Sequence, residues 1–265
     1  MLVSVCIPTF NGERFIRQTI QSVLSQSHSN LEVVISDHSS SDATLGIVRS
    51  FIDPRIRIVN TPRDVGIADN WNAAVFHARG SLVKVMGQDD LLYPKAIESE
   101  VDVMRTANAL VGFCYSDRDV VGARGELIRR RRSKLGHTDE SGELIRRIVR
   151  SGGNPVGEPV AVLFRRMAWE QVGGFRGSYV IDLDFYSRVL TRFSAVATNS
   201  CVGAFRVHRS SWGSRQLTQQ FGVIAFYLQL RSNWAPNVAL HDVFIGSTKA
   251  MIRTPLRILI QQLRC

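Results

Sequence analysis

The chain has 265 residues, of which 45% are hydrophobic and 21% charged, and its formal net charge is +10. A chain of this length can bury a core without disulfide or metal support, and its 20 glycines and 8 prolines exclude collagen-like and low-complexity proteins. No apolar run approaches the ~18 residues of a membrane-spanning helix. The four cysteines are scattered without metal-ligand or redox spacing, which favours a reducing, cytoplasmic setting.

Strand and helix signals alternate along the first hundred residues. Short apolar runs predict four strands, at 2–7, 31–35, 55–60 and 81–86. The first run has no basic residues before it, so we expect a strand there and not a signal peptide. Apolar residues at helical spacing predict helices that begin near Phe15, Asp42, Ile67 and Ile97. This order favours an α/β fold, a parallel sheet with helices on both faces that binds ligands beyond the carboxyl ends of its strands.

The pattern is looser after residue 120. The arginine-rich stretch 124–134 is expected to form a loop. Short strand or helix signals follow it, at 161–164, 167–172 and 182–192. Residues 218–265 are expected to be helical, and no internal repeat is present.

The positive charge is concentrated in two segments of the chain. Residues 122–150 and residues 213–265 each carry a net charge of +5, and the rest of the chain balances to zero. Only four of the 33 basic residues are lysines, and arginine is the better bidentate ligand of phosphate. The excess is either a solvated basic face or a surface that attracts anionic lipid or a substrate phosphate.

Polar clusters follow three of the predicted strands, at 9–13, 37–42 and 88–90. The last of them contains the adjacent carboxylates Asp89 and Asp90. Hard cations such as Mg²⁺ and Mn²⁺ take carboxylate and phosphate oxygens as ligands. The pair therefore either holds a metal or marks the start of the next helix, where Asp is common.

In the second half of the chain, an aspartate pair and a histidine are further candidates for functional residues. Asp182 and Asp184 lie two residues apart, so at most one of them faces a site if the segment is helical. An acid there could take a proton from an attacking hydroxyl, and the alternative is a pair of carboxylates that stabilises a helix start. His208 follows a strand-like segment and is either a metal ligand or a structural hydrogen-bonding group. Phosphate-cradling, dinucleotide and nucleophile-elbow glycine motifs are absent from the sequence.

In their order along the chain, these motifs resemble family-2 glycosyltransferases with the GT-A fold. The resemblance covers roughly residues 2–212. Eight segments carry it: Val3 to Gly12, Ser22 to Gln26, Val34 to Asp42, Gly66 to Asn72, Gln88 to Pro94, Val172 to Phe175, Asp182 to Arg188, and His208. It implies a Rossmann-like, mostly parallel sheet with helices on both faces. It also implies an inverting enzyme that moves a sugar from a nucleotide-sugar donor to a hydroxyl of a glycan or lipid-diphosphate-linked acceptor in bacterial surface-polysaccharide synthesis.

The resemblance assigns donor-binding roles to five residues. Pro8, Thr9 and Phe10 resemble the segment that lines the nucleotide base and ribose, and Asp37 resembles the acid that hydrogen-bonds the base. Asp89 matches the last acid of the metal-binding Asp-x-Asp motif, beside the donor diphosphate.

The resemblance also implies a metal site and a general base. A divalent cation, Mg²⁺ or Mn²⁺, is expected at Asp89, Asp90 and His208, and Asp182 matches the general base of inverting members. The sequence departs from the family pattern at three positions. Gly87 replaces the first acid of Asp-x-Asp, His38 replaces the second acid after the second strand, and Ile181 replaces the Glu before the base.

These assignments predict a GT-A domain over residues 1–212, with a nucleotide-binding half at 1–120 and an acceptor and catalytic half at 121–212. A basic helical extension follows at 213–265. We expect a cytoplasmic protein whose extension holds it peripherally at an anionic membrane surface. The alternatives for the extension are packing on the core and an oligomer contact.

Two other functions are alternatives to a glycosyltransferase. A non-catalytic nucleic-acid-binding protein would use the basic segments to contact phosphate. However, the stretch 122–134 lacks interleaved aromatic residues, and we expect no nucleic-acid partner. A nucleotidyltransferase on a related fold would need a glycine-rich signature with a lysine near the N-terminus, which the sequence lacks.

Overall fold

The computed structural model describes residues 1–133, 135, 141–177, 180–208, 220–233 and 238–264, and for residues 141, 220, 221, 233 and 253–264 it describes the backbone alone. Within these residues one sheet contains the strands β1 (Val3–Thr9), β2 (Leu31–Asp37), β3 (Ile56–Asn60), β4 (Leu82–Val85), β5 (Leu91–Leu92), β6 (Val111–Val121), β7 (Leu127–Arg131), β8 (Val162–Arg165) and β9 (Ser194–Arg206). The helices are α1 (Ile16–Leu24), α2 (Thr44–Arg49), α3 (Ile67–Phe76), α4 (Ala96–Thr106), α5 (Ser141–Ser151), α6 (Arg166–Val172), α7 (Ile181–Val189), α8 (Gln220–Asn233) and α9 (Leu240–Arg264).

The first four strands form the parallel half of the sheet. β1 pairs in parallel with both β2 and β4, and β2 pairs in parallel with β3. Seven of seven residues in β2 are buried, its polar residues Glu32, Ser36 and Asp37 included, as is typical of a strand covered on both faces. The predicted alternation of strands and helices is confirmed in this half.

The second half of the sheet is mixed. β8 lies between β4 and β6 and is antiparallel to both, β6 is parallel to β9, and β5 is antiparallel to β9. The sheet therefore continues from the first part of the chain into the second. The predicted boundary between the two halves, at residues 120 and 121, falls within β6.

The expected loop at 124–134 is wrong over much of its length. β7 pairs antiparallel with β6, so that Arg131 lies opposite Arg118 and Arg129 lies opposite Val120. Gly125 supplies the left-handed backbone of the connecting turn, with φ of 86°. Consecutive arginines lack the apolar and polar alternation that identifies a strand. Pairing with the long neighbour β6 overrides that local signal.

The sheet separates two apolar layers because successive side chains of a strand point to opposite faces. Val5 and Ile7 belong to a layer with α1, α2 and α4. Cys6 belongs to the other layer, which includes residues of α3 and of α5 to α9. α1 shows how the sequence builds this packing, since its buried residues Ile16, Ile20 and Val23 recur at helical spacing.

The C-terminal helix α9 packs on both α5 and α8. Asp242 of α9 is fully buried and accepts a hydrogen bond from Arg146 Nε at 2.9 Å, and its other oxygen lies 3.3 Å from Arg150. The predicted helical extension is present at 220–233 and 240–264, and its predicted start at residue 213 lies outside the described residues. Among the helices described here, none combines the length and the apolar character that crossing a membrane requires.

Candidate active site

The carboxyl ends of β1 and β2 lie side by side, with Thr9 in register with Asp37. Asp37 is 1% exposed, and its Oδ1 accepts hydrogen bonds from Thr9 Oγ1 at 3.2 Å and Ser40 Oγ at 2.6 Å. Its Oδ2 accepts one from the Ser40 backbone N–H at 2.9 Å. An ionised carboxylate has about four acceptor positions. Among the residues that the structure describes, three donors therefore fill three of these positions, and one position on Asp37 Oδ2 remains.

Phe10 presents an aromatic surface at this edge of the sheet. It is 46% exposed, whereas Thr9 is buried and Pro8 half-buried. Gln88 fixes its backbone through two hydrogen bonds: Oε1 accepts from the Phe10 N–H at 2.8 Å, and Nε2 donates to the Phe10 oxygen at 3.0 Å. The ring centroids of Phe10 and His38 are 5.7 Å apart. Sequence reasoning gave Gln88 no role, although it occupies the middle position of the Asp-x-Asp segment.

The turn after β4 has a buried carboxylate at its centre. Asp90 is 1% exposed, its Oδ1 accepts the Arg206 backbone N–H at 3.0 Å and its Oδ2 accepts the Gly87 N–H at 3.3 Å. Burial raises the pKa of Asp90 well above its ordinary value, and the adjacent charge of Asp89 raises it further. These bonds show that Asp90 shapes the turn, and its predicted metal contact stays a prediction.

The same turn explains why glycine stands at position 87. A Cβ on Gly87 would lie 2.7 Å from Asp89 Oδ1 and 3.0 Å from Asp90 Oδ2. The first acid of the family motif is therefore replaced by a residue without a side chain, at a point where two carboxylates already crowd the backbone.

Asp89 and His208 form a pair beside this turn. His208 Nε2 lies 2.8 Å from Asp89 Oδ2, and the side chains are 9% and 19% exposed for His208 and Asp89 respectively. The Phe15 ring packs on the imidazole with a centroid distance of 4.8 Å. No cluster of three or more His, Cys, Asp or Glu side chains suited to a metal occurs in the described part of the chain. The protein would therefore offer a cation one carboxylate and one imidazole here, with further ligands from a substrate.

Arg206 holds this region together, and the sequence analysis did not identify it. Its side chain donates to the Asp89 backbone oxygen at 2.8 Å and to Gln18 Oε1 at 3.1 Å, and its guanidinium stacks on the Phe15 ring at 4.6 Å. The backbone N–H of Arg206 also donates to Asp90, so Arg206 fixes the turn after β4. Arg206 itself stands two residues before His208 in the chain. No local motif indicates this role, since the hydrogen-bond partners of the Arg206 side chain described here are 83 or more residues away in the sequence.

Asp182 lies in the first turn of α7, where the backbone of the preceding Val180 has φ of 48°. Its Oδ2 accepts a hydrogen bond from Asn154 Nδ2 at 2.7 Å, and its Oδ1 accepts the Leu183 N–H at 2.8 Å. Burial raises the pKa of Asp182 to about 6, the Leu183 N–H opposes that shift, and the charge of Glu158 adds to it. A carboxylate with this pKa is ionised at neutral pH and a stronger base than an exposed Asp.

Asp184 points to a different partner. Its Oδ2 accepts hydrogen bonds from both Nε and Nη2 of Arg188, at 2.8 Å and 2.7 Å. The expectation that at most one of the two aspartates faces a site agrees with this arrangement, which leaves Asp182 as the candidate.

Glu158 connects the two parts of the site. Its charge contributes to the raised pKa of Asp90 and to the raised pKa of Asp182, so it lies within electrostatic range of both carboxyl groups. Arg118 of β6 holds it in place, with Nε 2.5 Å from Glu158 Oε2. The turn after β4 and the start of α7 therefore belong to one charged region.

Comparison with known proteins identifies related chains. Residues 4–173 match the family described as Glycosyl transferase family 2. An uncharacterised protein of Mycobacterium tuberculosis is 31% identical over 201 residues, which cover 72% of this chain and 62% of that protein. The UDP-Glc:alpha-D-GlcNAc-diphosphoundecaprenol beta-1,3-glucosyltransferase WfgD of Escherichia coli is 31% identical over 120 residues, or 45% of this chain and 47% of that enzyme. The chain thus spans less than two thirds of these relatives.

Solved structures share the fold at low sequence identity. The mannosyltransferase PcManGT of Pyrobaculum calidifontis, in complex with GDP-Man and Mn²⁺, has a TM-score of 0.66 at 19% identity, over 99% of this chain and 73% of that one. Residues 1–349 of Staphylococcus aureus TarS, in complex with UDP-GlcNAc, have a TM-score of 0.63 at 15% identity, over 96% of this chain and 80% of that one. These likenesses confirm the predicted GT-A fold.

Proposed function

We propose that this chain, which belongs to glycosyl transferase family 2, transfers a sugar from a nucleotide-sugar donor to a hydroxyl of a glycan or lipid-linked acceptor, with inversion at the anomeric carbon. The observation that carries this proposal is the arrangement of the polar edge of the sheet. Asp89 is paired with His208, and Asp182 is hydrogen-bonded to Asn154. The charge of Glu158 raises the pKa of both Asp90, the neighbour of Asp89, and Asp182, so one charged group is within range of both regions.

The donor nucleotide is proposed to bind at the ends of β1 and β2. Phe10 offers an exposed ring for stacking, and the free acceptor position of Asp37 suits an N–H of the base. Pro8 and Thr9 are the last two residues of β1, directly before Phe10, and are proposed to line the same nucleotide site. The relative WfgD is named for UDP-Glc, and the structural neighbours were solved with UDP-GlcNAc and GDP-Man, which supports a nucleotide sugar as the donor class.

Asp89 and His208 are proposed to hold a divalent cation. The donor set fits Mg²⁺ or Mn²⁺, which use one or two protein groups together with substrate phosphate oxygens. When bound, such a cation offsets the negative charge that develops on the departing nucleoside diphosphate. The neighbour PcManGT was solved with Mn²⁺. Asp90 would support the cation site indirectly, because it fixes the turn that carries Asp89.

Asp182 is proposed as the general base. It would take the proton of the acceptor hydroxyl as that oxygen attacks the anomeric carbon from the face opposite the diphosphate. Its ionised form at neutral pH and its hydrogen bond to Asn154 support this assignment.

The acceptor is proposed to be a glycan or lipid-diphosphate-linked glycan in surface-polysaccharide synthesis, reached from the cytoplasmic face of the membrane. α8 and α9 support a peripheral membrane contact because they expose large apolar side chains: Leu228, Leu240, Phe244, Met251 and Ile252. An oligomer contact through the same helices is the alternative.

The nucleic-acid-binding alternative is not proposed. Two of the arginines of the β6–β7 hairpin are engaged within the protein: Arg118 pairs with Glu158, and Arg132 pairs with Asp117 at 3.1 Å. The positive charge of this segment is thus partly neutralised by its own acidic neighbours.

A donor screen tests the proposed function. The purified protein would be incubated with UDP-, GDP- and dTDP-sugars, with Mn²⁺ or excess chelator, while thermal stability and nucleoside diphosphate release are measured. We expect one nucleotide class to raise the melting temperature, because binding to the folded state stabilises it by mass action. Absence of both stabilisation and diphosphate release across the panel contradicts the proposal.

A further inference from the structure

Asn154 contacts the proposed base, Asp182, from another part of the chain. Asn154 is 28 residues before Asp182 in the sequence. It lies in the loop between α5 and a short 3₁₀ helix at Pro159–Ala161. Its Nδ2 is 2.7 Å from Asp182 Oδ2, a short distance that is typical of a hydrogen bond to a charged acceptor.

The orientation of the Asn154 amide is fixed by a second residue. The Gly157 N–H donates to Asn154 Oδ1 at 3.0 Å, and Asn154 Nδ2 also donates to the Gly157 oxygen at 2.9 Å. If the amide were turned over, its NH₂ group would face the Gly157 N–H, two donors would oppose each other, and the carboxylate would face an oxygen. The loop therefore presents an N–H donor, and not an acceptor, to Asp182.

Gly157 allows this compact arrangement. Its φ of 126° is open to glycine, and a Cβ there would lie 3.1 Å from Arg118 Cζ and 3.0 Å from Ala161 Cβ. The loop thus closes on Arg118 and delivers Asn154 to the start of α7.

The charged and titratable groups that face Asp182 are Glu158, which raises its pKa, and Tyr186, whose own pKa is raised by burial and then by the Asp182 charge. Arg118 lies behind Glu158 and partly offsets it. Burial and Glu158 therefore both favour a protonated Asp182. The N–H groups of Asn154 and Leu183 act in the opposite direction, because a donor stabilises the charged form of a carboxylate.

We infer that Asn154 is a positioning residue that orients Asp182 Oδ2 and keeps the carboxylate ionised for proton transfer, an inference that rests on the proposed function. Asn154 does not contact the reacting atoms in this scheme. It acts through Asp182, and the Gly157 loop acts through Asn154.

Two substitutions separate this role from simple support of the loop. Asn154→Ala removes both the donor to Asp182 and the bonds to Gly157. Asn154→Asp keeps an acceptor for the Gly157 N–H but replaces the donor with a second carboxyl group. The matched control is Asn108→Ala, because Asn108 is exposed and its side chain accepts only the local Leu110 N–H among the bonds described.

The direct measurement is a ¹³C NMR titration of the Asp182 carboxyl carbon, assigned by its loss in Asp182→Asn. We expect the apparent pKa of Asp182 to rise by about one unit in Asn154→Ala, and by more in Asn154→Asp because a like charge is added. The acid limb of the transfer rate should move to higher pH by the same amount. Thermal stabilisation by the donor nucleotide should stay as in the wild type, which also checks that each variant is folded.

Three results decide the inference. A shift in both variants, with none in Asn108→Ala, supports it. No shift in either variant overturns it, and so does a shift in Asn154→Asp alone, since that would be the effect of the added charge. Near-normal transfer by Asp182→Asn would instead contradict the proposed base, and the titration would still report on Asn154.

Discussion

Arg188 Nη2 lies 2.7 Å from Asp184 Oδ2, and this ion pair occupies Asp184, so that Asp182 is the aspartate of α7 proposed as the base. The guanidinium is 2% exposed and also donates to the backbone oxygens of Val172 and Gly174, at 2.6 Å and 2.7 Å. Arg188 therefore ties α7 to the turn that ends α6. The result is a fixed helix start from which Asp182 reaches the loop of Asn154.

Asp184→Asn is expected to lower the free energy of unfolding by about 2 kcal/mol, the scale of weakening a hydrogen-bonded charge partner of a buried group. Arg188 would keep its two backbone acceptors but lose its counter-charge. Urea unfolding measures the change. Asp102→Asn is the control, because Asp102 pairs with Arg105 on an exposed helix face and should change stability little. Equal stability of Asp184→Asn and the wild type would contradict the structural role.

Asp182→Asn is expected to leave donor binding nearly intact and to reduce transfer by ~10²–10⁴, the usual contribution of a general base. An amide has the shape of the carboxylate but cannot take the proton. Donor binding is followed by thermal shift and transfer by diphosphate release in the presence of acceptor. Transfer close to the wild-type rate would refute the assignment.

The transfer rate is expected to depend on the ionisation of Asp182. Because its pKa is raised to about 6, the base is protonated and inactive below that pH and ionised above it. The kcat/KM profile should therefore rise through an acid limb near pH 6 and fall about tenfold per pH unit below it. An acid limb near pH 4, the ordinary range of an exposed Asp, would show that the carboxyl group is not buried in the working enzyme.

The parallel half of the fold could be predicted from the sequence because its signals are local. The runs at β1 and β2 and the helical spacing of Ile16, Ile20 and Val23 are visible within a few residues. The hairpin of β6 and β7 could not be predicted from the sequence. The strand Leu127–Arg131 is stabilised by pairing with β6, and its own residues lack the alternation of apolar and polar side chains that identifies a strand.

The candidate active site shows the same difference between local sequence signals and contacts that form only across the fold. Asp89, Asp182 and His208 stand in recognisable segments, but the residues that orient them act across the fold. Arg206 meets Gln18 across 188 positions, and Asn154 meets Asp182 across 28. A single sequence contains no periodicity or spacing that identifies such pairs, because their members become neighbours only in the folded structure.

Asp89→Ala and His208→Ala are each expected to weaken nucleoside diphosphate binding when Mg²⁺ or Mn²⁺ is present and to leave it unchanged in excess chelator. The reason is that a carboxylate and an imidazole at 2.8 Å supply only part of a coordination shell, which the diphosphate would complete. Calorimetry with and without cation measures the effect. The control is Asp102→Asn. If the wild type binds equally well in chelator and in metal, the proposed cation site is wrong.

The C-terminal helices are expected to hold the protein at an anionic membrane surface. Leu240 and Phe244 of α9 are 61% and 73% exposed, and Met251 and Ile252 are 59% and 67% exposed further along the same helix. The segment 213–265 contains six basic residues and one acid, Asp242, which is buried against α5. An exposed apolar face with unbalanced positive charge is typical of helices that lie in the membrane interface. The sequence predicts further apolar and basic residues over 253–264, and their side chains lie outside those described.

Liposome co-sedimentation of the full chain tests the membrane contact. Binding should require anionic lipid and decrease with added salt, because each basic group near such a surface contributes ~1 kcal/mol that salt screens. Phe244→Ser should weaken binding several-fold by removing apolar contact. Phe76→Ser is the matched control, since Phe76 is also 73% exposed but lies on α3. If neutral liposomes bind equally well, if anionic liposomes do not bind, or if Phe76→Ser has the same effect as Phe244→Ser, then α8 and α9 serve the core or an oligomer contact and not the membrane.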